Sequence, residues 1–125
     1  MKLFTVDEAN ALLPSVGQML RKLQRSRKRL GTHRKAAKSA AEGAELGGGG
    51  MECGVHYATL LTSFAAEMSE LEALGVQLKD FERGLVDFPS LREGRVVLLC
   101  WQLGEGDQLE WWHDMEAGFS GRTPL

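Results

Sequence analysis

The spacing of apolar residues changes at Gly75, and this change constrains the fold more than any other feature of the chain. Before Gly75, apolar residues recur at intervals of three and four, which is the period of an amphipathic helix. After Gly75, apolar and polar residues alternate in short runs, as they do in half-buried strands. The sequence therefore predicts an α+β fold in which helices come first and an antiparallel sheet follows.

The first predicted helix takes up residues 1–42. Thr5 and Glu8 have the spacing of a capping box, in which each side chain accepts a hydrogen bond from the backbone of the other residue. Pro14 lies inside the apolar pattern and is expected to kink the helix or to start it afresh. The sequence thus predicts a long helix with a defined start.

A second helix is predicted over residues 53–75, where Gly75 suits the position just after a helix end. The glycine-rich segment 43–52 between the two helices is expected to be a flexible linker. Two long helices joined in this way should fold back on one another. We therefore predict a long antiparallel helical hairpin.

Residues 76–125 are predicted to form a small four-stranded antiparallel β-meander with an irregular tail. The loop 82–84 ends in glycine and suits a hairpin turn, and residues 104–107 suit another. At 125 residues the chain is long enough for one core. We therefore interpret residues 1–125 as a single domain.

Composition excludes several classes of protein. The longest strongly apolar run, residues 96–101, is far shorter than the roughly 20 residues that a membrane span needs. The first residues lack the basic and apolar regions of a secretory signal. The two cysteines, Cys53 and Cys100, are too few for a disulfide framework. We therefore expect a cytoplasmic protein with reduced thiols and no membrane contact.

Nine Lys and Arg residues, with no acid among them, lie between positions 21 and 38. We interpret this stretch as a solvated charged face, because no aromatic side chains are interleaved to stack on bases. The alternative is weak, salt-dependent binding of nucleic acid by phosphate contacts. The residues that would carry it are Arg27, Lys28, Arg29, Arg34, Lys35 and Lys38.

Glu67 lies on the apolar stripe of the second helix, between Phe64 and Leu71. A carboxylate in this position must find a partner or become protonated, because an isolated buried charge is costly. It is therefore a candidate metal ligand or general base. The alternative is an ion pair with the first helix.

Asp87 and Lys79 flank the predicted loop 82–84 at matching distances. If Phe81 pairs with Leu85, then Lys79 stands opposite Asp87 and forms a cross-strand ion pair. Asp87 can still face a ligand from that position. We therefore keep it as a candidate ligand-binding residue with a structural alternative.

The densest group of site-like residues comprises Cys100, Glu105 and His113. Pairing Leu103 with Gln108 places Cys100 and His113 on one sheet face, and thiolate, carboxylate and imidazole are the usual ligands of zinc. The sequence contains no compact zinc motif such as Cys-x-x-Cys. A divalent-metal site containing Glu105 and His113 is one reading, and a neutral buried histidine among tryptophans is the other.

Arg122 in the tail is suited either to clamping a carboxylate or phosphate of a ligand or to tying the tail to an acid of the sheet. No nucleotide-binding glycine loop, nucleophile elbow or paired catalytic cysteine and histidine is present. The sequence therefore leaves open whether the chain is an enzyme.

The order of several motifs resembles an uncharacterised prokaryotic family, domain of unknown function 2203. The matching segments are residues 4–10, 12–14, 84–89, 99–101, 103–105, 112–113, 118–119 and 121–122. The resemblance implies a helical hairpin with a small C-terminal sheet, and it implies no activity. It also implies that six polar residues belong to the family pattern, namely Glu8, Asn10, Asp87, Glu105, His113 and Arg122.

Three functional hypotheses follow from these residues. The first is a domain that binds a metal ion or a small polar ligand in a cleft between the sheet and the helices. Its ligand-binding candidates are Glu8, Asn10, Asp87 and Arg122, and its metal-ligand candidates are Glu67, Glu105 and His113. The second is a structural or interaction module that forms a homo-oligomer through its helical hairpin. The third is the nucleic-acid binding described above.

Overall fold

A computed structural model of the chain describes residues 1–44 and 50–125, without the side chains of residues 36–37, 39–44 and 50–53. Its elements are, in chain order, the helices α1 (Val6–Ala44) and α2 (Gly50–Ala73), the strands β1 (Gln77–Asp80), β2 (Leu85–Arg92), β3 (Arg95–Gln102) and β4 (Trp111–Asp114), a 3₁₀ turn (Phe119–Gly121) and the strand β5 (Thr123–Pro124). The α+β fold is confirmed. The middle of the predicted linker, residues 45–49, lies outside the described residues.

The helix ends follow the predicted signals. The Thr5 amide donates to Glu8 Oε1 at 2.9 Å, and the Glu8 amide donates to Thr5 Oγ1 at 3.0 Å, which confirms the capping box. Pro14 lies inside α1, which runs on as a single helix. Gly75 follows the end of α2 with φ +88°.

The sheet is an antiparallel meander with the order β1-β2-β3-β4-β5. It has five strands where the sequence predicts four. The additional strand, β5, pairs Thr123 with Trp112 and Pro124 with Trp111. Two residues are too short to show an alternating pattern, so a strand of this length leaves no signal in the sequence.

The described chain divides into two compact units. The sheet unit comprises Met1–Arg21 and Glu70–Leu125, so it contains the start of α1, the end of α2 and all five strands. The helical unit comprises Lys22–Ser69, which is the remainder of the two helices.

The core of the sheet unit lies between the start of α1 and one face of the sheet. Phe4 packs edge-on against Phe88, with ring centroids 5.4 Å apart. The α1 backbone passes close to Trp101, since a Cβ atom on Gly17 would lie 3.5 Å from its ring. The start of α1 therefore covers one face of the sheet, and the other face is turned away from α1.

In the helical unit, α1 and α2 run antiparallel. Ser26 Oγ donates to Glu67 Oε2 at 2.8 Å, and the rings of His33 and His56 lie 4.8 Å apart between centroids. Residue numbers thus rise along one helix as they fall along the other, as in the predicted hairpin. In the described part of the chain, neither helix carries an apolar stretch long enough to span a bilayer.

Candidate metal site

Three strands bring Asp87, Cys100 and His113 to the same face of the sheet. Asp87 on β2 lies opposite Cys100 on β3, and His113 on β4 lies opposite Leu98 on β3. Residues two apart on a strand share a face, so all four side chains point away from α1. The register predicted for β3 and β4 is confirmed.

Asp87 is the hub of this cluster. Its Oδ1 lies 3.1 Å from Nε2 of His113, and the two side chains are only 2% and 3% exposed, respectively. The buried thiol of Cys100 lies beside this pair, since Cys100 is directly opposite Asp87 on the neighbouring strand. The imidazole nitrogen, the thiol sulfur and the carboxylate oxygen lie within 4.8 Å of one another. The structure thus joins two predicted site residues to a cysteine.

The hydrogen bonds of His113 determine how protons are distributed in the cluster. Nδ1 of His113 lies 2.8 Å from the backbone carbonyl of Asp114, which can only accept, so Nδ1 carries a hydrogen. Nε2 and the Asp87 carboxylate are then two acceptors at hydrogen-bond distance unless one of them is protonated. A proton on either group would make this contact a hydrogen bond.

Burial and the neighbouring carboxylate keep Cys100 protonated. Burial is the larger cause and the negative charge of Asp87 the next, and together they raise the pKa of the thiol to about 12. Cys100 is therefore a weak nucleophile at neutral pH. A metal ion that binds its sulfur must displace the proton.

A cleft of about 200 Å³ opens above Asp87 and His113. Its walls come from β1, β2 and β3 and from the segment after β4, and its lining comprises Lys79, Leu85, Asp87, Leu98, His113, Met115, Glu116, Gly118 and Phe119. The cleft thus lies on the sheet face turned away from α1. The sequence predicted a cleft between the sheet and the helices, and Asp87 and His113 do not line a cleft there. A second cleft of about 210 Å³, beside α1 at Pro14 and Trp101, is lined by none of the predicted site residues.

The predicted pairing of Lys79 with Asp87 is wrong. Gln77 lies opposite Asp87, and the register shifts between Leu78 and Asp80. Residues 81–84 form a longer turn than predicted, and the Arg83 amide donates to Asp80 Oδ1 at 3.0 Å within it. This bulge removes Lys79 from the ladder, and the ion-pair partner that the structure gives Asp87 is His113.

Glu105 and Arg122 are paired with one another. Arg122 donates to both carboxylate oxygens at 2.7 and 2.6 Å, and the Gln102 amide donates to Glu105 Oε1 at 2.6 Å. Partial burial alone would raise the pKa of Glu105, but these hydrogen bonds outweigh it and hold the pKa below its usual value. Arg122 also stacks 4.5 Å from the centroid of the Phe119 ring. Of the two readings of Arg122, the geometry matches the one in which it ties the tail to the sheet.

The remaining predicted residues also have partners within the chain. Glu8 caps α1, and the Thr5 amide that it accepts lowers its pKa. Asn10 Oδ1 accepts from the Leu109 amide at 2.6 Å, which fixes the loop before β4. Glu67 lies in the helical unit, where it accepts from Ser26. Among the described residues, the structure therefore brings together two pairs from the predicted set, Asp87 with His113 and Glu105 with Arg122.

The six basic residues predicted as a nucleic-acid surface are all exposed, in agreement with a solvated charged face. Four of them, Arg27, Lys28, Arg29 and Arg34, line shallow grooves of the helical unit. Binding of nucleic acid stays a prediction.

A hairpin turn at Glu93 and Gly94 would have revealed the cluster from the sequence. Both residues have positive φ, 51° and 76°, and they join Arg92 to its partner Arg95 as a two-residue turn. That turn fixes the register of β2 against β3 and places Asp87 beside Cys100. The signal was weak because Glu occupies the position where Asn or Asp is usual.

Comparison with known proteins identifies the family. Residues 2–125 match a family model described as an uncharacterised conserved protein, domain of unknown function 2203. The chain belongs to this family. The resemblance inferred from the separate motifs is therefore confirmed across nearly the whole sequence. No curated protein and no solved structure matches the chain.

Proposed function

We propose that this member of the domain of unknown function 2203 family binds a divalent transition-metal ion of the zinc class through Asp87, Cys100 and His113. The observation that carries the proposal is the convergence of three different ligand atoms within 4.8 Å on one buried patch of sheet. Bond lengths of about 2.0–2.3 Å imply ligand atoms about 3.3–3.8 Å apart in a tetrahedral site. Side-chain movements of about 1 Å therefore suffice for coordination.

The orientation of His113 supports this proposal. Metal-bound histidines commonly donate their second ring nitrogen to a carbonyl or carboxylate, which fixes the tautomer that presents a lone pair to the metal. Here Nδ1 donates to the Asp114 carbonyl, so Nε2 is the nitrogen available for coordination. It is also the nitrogen that faces Asp87.

Charge balance also favours a divalent ion. With the thiol deprotonated, the carboxylate, thiolate and neutral imidazole carry two negative charges, and a divalent ion neutralises both. The ion displaces the thiol proton and leaves no net charge in a buried site. Affinity should consequently rise as pH rises.

The cleft favours a site that binds a ligand over one that only stabilises the fold. Three protein ligands leave a fourth coordination position, which is the arrangement of zinc sites that bind water or substrate. Asp87 and His113 line the cleft, so an ion held by them would be within reach of a molecule in the cleft. We therefore propose that a small polar ligand reaches the ion from the cleft.

Cobalt titration of untagged protein tests the proposal. Wild-type protein should develop a thiolate-to-cobalt charge-transfer band, should melt at a higher temperature with zinc, and should contain metal after purification. Cys100→Ser should abolish the band, and His113→Gln should weaken binding at least about tenfold. Glu67→Gln is the matched control, because it removes a carboxylate that lies in the helical unit.

Two results would contradict the proposed metal site. One is wild-type protein with no bound metal, no cobalt band and no melting shift across a panel of divalent ions. The other is a cobalt band that survives Cys100→Ser but disappears in Glu67→Gln, which would move the site to the helical unit.

A further inference from the structure

The cleft above the proposed metal site has an apolar interior. Leu85 of β2 and Leu98 of β3 are buried residues of its lining. Met115 and Phe119 line it from the segment after β4, and both are partly exposed. An apolar chain that enters the cleft therefore loses contact with water on several sides, which favours its binding.

The wall formed by Phe119 is held in place by its neighbours. The guanidinium carbon of Arg83 lies 4.2 Å from the centroid of the Phe119 ring, and that of Arg122 lies 4.5 Å from it. Arg122 is itself paired with Glu105 at 2.6 Å. A wall that is already fixed costs a ligand less conformational entropy than one that must be ordered on binding.

The lining also carries one further positive and one further negative side chain, Lys79 and Glu116. Lys79 belongs to β1 and Glu116 follows the end of β4, so β2 and β3 lie between the strands from which they come. Both side chains are exposed, and within the described part of the chain neither forms a salt bridge. The two charges do not neutralise each other and are available to a ligand.

Charge complementarity selects the class of ligand. A molecule that meets Lys79 and Glu116 with opposite charges must carry one group of each sign. A carboxylate on the metal ion is also close to Lys79, because Lys79 lies on the strand that pairs with the strand of Asp87. An ammonium group is the complement of Glu116. The apolar lining between them suits a chain of methylene groups.

We propose that the cleft binds a linear ω-amino acid, in which a short apolar chain separates the carboxylate from the ammonium group. The inference rests on the proposed metal site, because the ion binds the carboxylate of the ligand. An α-amino acid carries both groups on one carbon and would leave either Lys79 or Glu116 without a partner. These two side chains determine specificity and are not metal ligands.

Titration of the cobalt-loaded protein with δ-aminovalerate tests the class of ligand. The visible cobalt bands should change as the carboxylate reaches the ion, while the thiolate charge-transfer band persists because the ion stays in place. Valerate lacks the ammonium group, butylamine lacks the carboxylate, and norvaline is the α-amino isomer. Valerate and norvaline should bind about fivefold more weakly than δ-aminovalerate, and butylamine should leave the cobalt bands unchanged.

Two substitutions assign the two ends of the ligand. Lys79→Met should weaken the binding of both δ-aminovalerate and valerate about fivefold, because both carry the carboxylate. Glu116→Gln should weaken δ-aminovalerate about fivefold and leave valerate unchanged. Glu110→Gln is the matched control, because Glu110 is exposed and does not line this cleft. The thiolate charge-transfer band should be the same in all three variants.

The thiolate band separates failure of the metal site from failure of this inference. A missing band in wild-type protein contradicts the metal site and the inference with it. A normal band without binding of δ-aminovalerate leaves the metal site standing and overturns the inference alone. The inference is also overturned if norvaline or valerate binds as tightly as δ-aminovalerate, or if Lys79→Met and Glu116→Gln bind δ-aminovalerate as wild type does.

Discussion

The two units of the chain treat polar groups in opposite ways. The sheet unit buries Asp87 and His113 almost completely and pairs them with each other. The helical unit leaves its cations exposed and leaves the apolar residues of α2 half covered. A buried polar cluster is costly unless every member is satisfied, whereas an exposed apolar face is costly unless something covers it. The sheet unit therefore holds a satisfied buried polar pair, whereas the described part of the helical unit holds apolar side chains of α2 that are only half covered.

The largest expected difference in the free energy of unfolding is between a leucine of the sheet unit and a leucine of the helical unit. Leu99→Ala removes a side chain that is 2% exposed in the sheet unit and should lower the free energy of unfolding by roughly 2–5 kcal/mol. Leu61→Ala removes the same atoms from a side chain that is 48% exposed and should cost less than about 1 kcal/mol. Urea denaturation at a protein concentration low enough to keep the chain monomeric measures both.

Equal losses of unfolding free energy in the two variants would contradict this difference, because they would show that α2 packs as tightly as the sheet. A larger loss for Leu61→Ala at high protein concentration than at low concentration would sharpen it, since the added cost would then come from association.

A smaller effect is expected at Glu105, which ties the tail to the sheet unit. Glu105→Gln weakens the paired hydrogen bonds from Arg122 and should cost about 1–2 kcal/mol at neutral pH. Glu110→Gln is the control, because Glu110 is exposed on the same stretch of chain. Thermal or urea unfolding measured from pH 7 to pH 2 follows both variants.

The sign of the pH dependence follows from the lowered pKa of Glu105 in the fold. An unfolded chain with an ordinary carboxyl pKa, near 4.5, binds a proton that the folded chain still excludes. The stabilisation by Glu105 is therefore complete above that pKa and is lost as pH falls through the lower pKa of the folded state. The difference between wild type and Glu105→Gln should shrink over the same range. A difference that stays constant down to pH 2 would rule out the charged pair.

The smallest effects concern two glycines, one in each unit. Gly31→Ala in the helical unit should stabilise the chain by about 0.5–1 kcal/mol, because the added Cβ atom meets nothing and the unfolded chain loses freedom. Gly84→Ala should destabilise it, because φ is +66° and the Cβ atom would lie 2.5 Å from Leu103. Paired thermal melts check the opposite signs. A destabilising Gly31→Ala would mean that the shallow groove lined by Gly31 is already filled.

The sequence predicted the fold more fully than it predicted the site. The capping box at Thr5, the helix end at Gly75 and the register of Cys100 against Trp111 depend on local signals, and all are present in the structure. The fifth strand was missed because two residues carry no period. Local chemistry was thus sufficient for the elements of the fold.

The position of the site depends on the pairing register of each strand with the next one. The register of β1 against β2 was predicted wrongly. The bulge beside Lys79 changed the partner of Asp87, because a shift of one residue alters every pair beyond it. Glu105 and Arg122 were both singled out from the sequence, yet their mutual pairing spans 17 positions along the chain and no local pattern encodes it. Distances of this kind follow only from the folded sheet.

The two outer strands of the sheet carry a further consequence. β1 is four residues long and bulged, and β5 has only two residues, one of them Pro124, which has no amide hydrogen to donate. Short, bulged or proline-bearing edges resist the addition of a strand from another molecule. The sheet is therefore protected against edge-to-edge polymerisation, and a concentrated solution of this protein should stay free of amyloid-like aggregates.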